Sequence, residues 1–83
     1  MQFELTKHAE YVIQRRGISL QSIEYVLGNP LDIEPDKVDP ELEHRLGRVP
    51  EYGDRVLRVV VNARVEPVKV ITVFWDRRVR NKL

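Results

Sequence analysis

Two histidines, His8 and His44, are the side chains of this chain closest to titrating at neutral pH, and Arg16, Arg45, Arg48 and Arg58 bring permanent positive charge. An imidazole can carry a proton between reacting groups, and a guanidinium presents a fork of donors to a phosphate. These are the parts that phosphate chemistry without a metal requires: a proton carrier, cations on the charged oxygens and an acid for the leaving oxygen. Tyr11, Tyr52 and Trp75 add aromatic faces on which bases can stack, although buried aromatics are commoner. Each residue also has a plainer reading. His8 suits a helix position bonded to backbone, and Arg16 suits a helix end, where cations are favoured.

Other chemistries are poorly provided for. The chain has no cysteine, hence no thiolate nucleophile, disulfide or cysteine-based zinc site. Glycine-rich phosphate loops and a nucleophile-elbow serine are missing, and two histidines without a clustered carboxylate make a weak metal site. Asp32, Glu34, Asp36 and Glu43 have calcium-loop spacing, but Lys37 stands where the sharp turn needs glycine and Pro35 lies between the ligands. Neither a metal nor another cofactor is expected.

The residues that position these groups fall into clear local patterns. From Arg55 to Asn62 and from Val68 to Asp76 the chain is dense in Val, Ile, Thr, Phe and Trp, with a polar linker containing Pro67 between, which predicts a central β-hairpin. Arg58, Lys69 and Thr72 interrupt its apolarity, so one face should be covered by helices and the other partly open. Ahead of it, Thr6 reads as a helix cap, Ala9, Val12, Ile13 and Arg16 recur at helical spacing, and Gly17 ends the helix. Ser19 caps a second helix with a stripe of Leu20, Ile23, Val26 and Leu27, stopped by Gly28-Asn29-Pro30. Residues 31–43 predict a short strand and a long acidic loop, and 43–49 another strand. On that strand His44, Leu46 and Arg48 share one face and Arg45, Gly47 and Val49 the other. The fold class is therefore α+β, two N-terminal helices on a twisted three- or four-stranded antiparallel sheet. Its core is expected from Leu57, Val59, Val61, Ile71 and Val73 with Val12, Ile23 and Leu27. The exposed positions of the second helix, Gln21, Ser22 and Glu24, lack the basic residues that DNA-groove insertion needs.

At 83 residues the chain is expected to be one domain spanning 1–83, small enough that a homodimer or partner would add useful buried surface. Its net charge of +1 conceals a segregation: residues 31–54 hold three basic against eight acidic residues, whereas 55–83 hold eight basic against two acidic. A basic second half suits a phosphate-bearing partner. No run approaches the roughly 18 apolar residues of a membrane span, and no leader pattern is present, so a cytoplasmic protein without a membrane partner is expected.

Thr6-Lys7-His8-Ala9, Arg15-Arg16-Gly17-Ile18-Ser19-Leu20, the Asn29-Pro30 stop and the final Val-Ile-Thr-Val-Phe strand together resemble the domain-of-unknown-function 4258 family. That family is similar in its order of elements to the RelE and ParE toxin superfamily, many of whose members are metal-independent ribonucleases of toxin-antitoxin pairs. The resemblance singles out His8, Arg16, Gly17 and the strand ending at Phe74. It implies RNA cleavage by attack of the 2′-OH; joining the family-like His8 and Arg16 to the strand arginines Arg45 and Arg58 gives the expected catalytic residues, and Arg15, Arg48, Trp75, Arg77 and Arg78 are the expected RNA contacts. The implied partners are RNA, in some members on the ribosome, and a cognate antitoxin. The rival expectation is a non-enzymatic interaction protein of the same fold.

Overall fold

The computed structural model describes residues 2–79. Thr6 opens the first helix, α1 (Lys7–Arg16), its hydroxyl accepting from the Ala9 amide at 3.0 Å, and Gly17 closes it at φ 65°, a conformation that suits a residue without Cβ. Ser19 does the same for α2 (Leu20–Gly28), accepting from the Ser22 amide at 3.1 Å. The second stop differs from the expectation in detail, because Gly28 remains helical and Asn29 ends the helix. The Asn29 amide and side chain both donate to the Tyr25 carbonyl, satisfying it beyond the last turn.

Five strands form one sheet in the order β1-β5-β4-β3-β2: β1 (Phe3–Leu5), β2 (Asp32–Pro35), β3 (Leu42–Val49), β4 (Arg55–Asn62) and β5 (Val68–Trp75). The expected hairpin is β4–β5, and β4 is the central strand. Two expectations are corrected. The sheet has five strands rather than three or four, and it is mixed rather than antiparallel, because β1 pairs parallel to β5 with Phe3 opposite Val68. Three residues are too few to show a period, and their partner lies at the other end of the chain.

Both helices cover one face, where Ala9, Val12, Ile13, Ile23, Val26 and Leu27 meet Val49, Leu57, Val59, Val61, Val70 and Val73 in one buried cluster. Ile71 does not join it. A bulge between Val60 and Val61 sets Val60 opposite Thr72 and Val61 opposite Val70, so Ile71 is the extra residue and inward alternation passes to Val70. Leu20 is also outside, 54% exposed, since it lies about 90° round the helix from the centre of the buried stripe.

On β3 the Gly47 and Val49 face meets the helices, which leaves His44, Leu46 and Arg48 on the other side. Gly47 is where α2 comes closest: a Cβ there would stand 3.2 Å from a Val26 methyl and 3.5 Å from the Asn29 carbonyl oxygen. Gly47→Val should therefore destabilise by about 1–3 kcal/mol through overpacking. Gly47→Ala should cost less, because Val26 needs to move only a few tenths of an ångström. Urea midpoints check the order, and a Gly47→Val protein as stable as wild type would mean that α2 is not seated on β3 at this point.

Candidate functional site

The helix-free face of the sheet carries a second, smaller buried layer, Leu46, Val56 and Val60, and in its middle stands Arg58, itself only 7% exposed. Arg58 alternates with Leu57 and Val59, which point into the main core, so its guanidinium lies on the opposite face, between Leu46 of β3 and Phe74 of β5 in register. A guanidinium held this far from water is costly without carboxylates and other acceptors around it. Three residues supply them. Its Nε donates to Asp76 Oδ2 at 2.7 Å, and its Nη1 donates to Glu34 Oε1 at 3.0 Å and to His44 Nδ1 at 2.8 Å.

Asp76 is the buried anchor, its side chain 1% exposed. Directly after β5 it accepts from the Arg78 side chain, Nε at 3.1 Å and Nη2 at 3.2 Å, and from the Arg78 amide at 3.0 Å. The Arg78 hydrogen bonds, then those of Arg58, outweigh burial and hold its carboxyl down at about 2, against the usual 3.8. The same contact, with Glu34 nearby, pushes Arg78 further up. A depressed carboxyl stabilises the fold above the unfolded pKa and ceases to do so as pH falls through the folded one. Asp76 should thus contribute about 2 kcal/mol near neutrality, reduced by the solvent screening at exposed Arg78, and lose it between about pH 4 and pH 2. Urea unfolding across that interval checks the sign, and unchanged stability down to about pH 2 would remove Asp76 from the account.

His44 bridges Arg58 to the acidic loop. Arginine can only donate, so Nδ1 of the neutral ring is the acceptor and Nε2 carries the hydrogen given to Asp36 Oδ1 at 2.7 Å. Asp36 is fixed in turn, its other oxygen accepting from the Val38 and Asp39 amides at 3.1 and 2.9 Å. The Asp39 amide first, then His44 and the Val38 amide, lower its carboxyl to about 2. Glu34, Asp36, Lys37, His44, Arg58 and Arg78 line a cleft of about 420 Å³, with Arg78 77% exposed at its mouth. An imidazole oriented by a carboxylate, beside one buried and one exposed guanidinium, can move a proton and hold an anionic oxygen within one cleft.

Past Trp75 the same segment builds a second feature, a basic ledge. The Arg55 guanidinium lies 4.6 Å over the indole, and Tyr52 meets the indole at a 5.3 Å centroid distance and 48° tilt. Arg16, at the end of α1, donates to the Val73 carbonyl at 3.0 Å and reaches this ledge. Clefts of about 300 and 350 Å³ adjoin Trp75, and Arg55 and Arg77 line both.

The residues expected from sequence are divided among these places. Arg58 and Arg78 share the His44 cleft, whereas Arg16, Trp75 and Arg77 belong to the ledge. His8 is exposed on α1, on the helix side of the sheet. Arg45 is on that side too, paired with Glu43 at 3.2 Å. Arg15 lies by Tyr11, and Arg48 donates to the Asp54 carbonyl at 2.8 Å. The expected catalytic set, His8, Arg16, Arg45 and Arg58, is not gathered in one cleft. Glu34, Asp36 and His44 are, beside Arg58, with Asp76 buried behind it; of these the sequence offers His44 as a candidate proton carrier, whereas the three carboxylates are not expected around an arginine. A signal existed in polar or charged residues at alternating strand positions 34, 44 and 58, but their register could not be read.

Among the described residues no group of His, Asp or Glu is arranged to hold a metal ion, and no helix is long and apolar enough to cross a membrane. The family model described as Domain of unknown function (DUF4258) matches residues 5–75, from the end of β1 to the end of β5. No curated protein and no solved structure matches the chain.

Proposed function

The chain belongs to the domain-of-unknown-function 4258 family, and from the helix-free sheet face we propose that it is a toxin-like, metal-independent ribonuclease. The supporting observation is the 2.8 Å contact between His44 and Arg58 in a cleft whose mouth carries Arg78. In the reaction the 2′-oxygen attacks the adjacent phosphorus, the P–O5′ bond breaks, and the products are a 2′,3′-cyclic phosphate and a 5′-hydroxyl. His44 takes the 2′-OH proton on Nδ1, and water protonates the leaving oxygen. For this an incoming phosphate draws Arg58 Nη1 away from His44, replacing Glu34 as its anionic partner. Glu34, at 44% exposure, can swing out at little cost. The two carboxylates on Arg58, together with Asp36, balance Arg58, Arg78 and Lys37 in the resting cleft, so the attraction that gathers RNA comes from the neighbouring ledge.

The order strand, two helices, then four strands, with both helices on one face, supports a RelE/ParE-like assignment. Such a chain acts in the cytoplasm, with RNA as substrate, free or on the ribosome, and an acidic cognate antitoxin over the basic surface. A second reading is favoured by a separate observation. β2 is an edge strand of the sheet with Ile33 52% exposed, and Leu31 just before it is 58% exposed, which suits a non-enzymatic role in binding another protein. RNA incubated with the purified chain in excess chelator, alongside growth on induction, separates the two: intact RNA and unimpaired growth would leave only the binding role.

A further inference from the structure

We propose that the ledge around Trp75 is a nucleotide subsite that takes one unpaired base and its phosphate from single-stranded RNA. It rests on the reading of the chain as RNA-acting and names the part of the RNA that the ledge grips. Three guanidinium groups, Arg16, Arg55 and Arg77, surround one half-buried indole. The carboxylate at the edge of this ledge, Asp76, is already engaged by Arg58 and Arg78. Among the described residues no carboxylate forms an ion pair with Arg16, Arg55 or Arg77, so the site presents an aromatic face among guanidinium groups, which matches an aromatic ring bearing an anion. A sugar phosphate lacks the ring, and a neutral nucleoside lacks the anion. The clefts of about 300 and 350 Å³ are at the small end of ligand pockets, a size for one nucleotide.

Arg55 is the movable member. It is exposed and lies over the indole, and an exposed cation–π contact is weaker than a base stacked on an aromatic ring. The base takes the place of Arg55 on Trp75, and Arg55 turns to the phosphate with Arg77. Arg16 is the fixed member, tied through the Val73 carbonyl to the strand that carries Trp75. Duplex RNA keeps its bases stacked inside and is excluded, so the subsite makes the chain selective for single strands. Trp75 is in register with Leu57 and packs against the helix-side core, so the ledge lies at the end of β5, round the sheet from the His44 cleft, and an RNA strand gripped there reaches the cleft by passing that end.

Trp75 is the only tryptophan of the chain, so its fluorescence reports on this site alone. The experiment titrates the intact protein with AMP, adenosine, ribose 5-phosphate and inorganic phosphate. Saturable quenching by AMP is expected, with adenosine and ribose 5-phosphate at least about tenfold weaker, and Arg77→Ala, exposed and outside the buried layers, weakening AMP about tenfold. No quenching by about 10 mM AMP would overturn the proposal. So would ribose 5-phosphate or phosphate alone binding as well as AMP, which would make the ledge an anion site only. The two readings fail separately: quenching without RNA cleavage removes the ribonuclease and leaves the subsite, whereas cleavage without quenching does the reverse.

Discussion

Asp76→Ala is expected to lower the unfolding free energy by about 3–5 kcal/mol, the usual consequence of removing one partner from a buried ion pair. The substitution leaves the Arg58 Nε without its 2.7 Å acceptor at a position 7% exposed, and it also frees Arg78, whose side chain and amide both bind the same carboxylate. Glu34→Ala removes a contact of nearly the same length, 3.0 Å, from the same guanidinium. Its expected cost is nevertheless under about 1 kcal/mol, because Glu34 is 44% exposed and water can replace it. Against a domain stability on the order of 5–15 kcal/mol, the first change approaches unfolding and the second is tolerated. Urea denaturation followed by far-ultraviolet circular dichroism measures both. Similar small losses for the two variants would mean that Arg58 is solvated in solution and that the network is a surface feature.

The contrast between these two carboxylates also shows what kind of information the sequence held. Thr6, Gly17 and Ser19 could be read as caps because each acts on backbone three to five residues away, and the β4–β5 hairpin could be read because its two runs are adjacent and β-branched. The mutual arrangement of the helix-free face could not. Glu34, His44, Arg58 and Asp76 come from four separate segments, and only the pairing of Glu34 with His44 on one side and Leu46 with Arg58 on the other puts them together. A slip of one residue in either pairing would have turned those side chains to the helix side, the side that Arg45, the direct neighbour of His44, faces in the observed register. Arg58 stands out in the sequence as an arginine inside an apolar strand. Asp76 shows there only as the end of that hairpin, because a single aspartate after a strand carries no sign of being buried. The extra residue at Ile71 is likewise invisible locally, since it is defined by what β4 does opposite.

The largest effect on function is expected at the mouth of the cleft and at its imidazole. If RNA is cleaved there, Arg78→Ala should slow the reaction by about 10²–10³-fold, the loss typical when one donor to a developing anion is removed. At 77% exposure its side chain is dispensable for packing, and Asp76 keeps Arg58 as a partner, so the variant should remain folded. His44→Gln should cost about 10²–10⁴-fold, the range for losing a proton carrier, while an amide at that position can still accept from Arg58. Raising salt should weaken RNA binding by wild type and by both variants, because Arg16, Arg55 and Arg77 on the ledge are untouched and counterion release there persists. The measurement is the rate of cleavage of a labelled single-stranded RNA in chelator, at matched concentrations of folded protein, with His8→Ala as the comparison. His8 is on the opposite side of the sheet from Arg58, so its removal should leave the rate unchanged. Loss of cleavage in His8→Ala with full activity in His44→Gln would move the proton carrier to α1 and reduce the Asp36–His44–Arg58 chain to a support of the sheet.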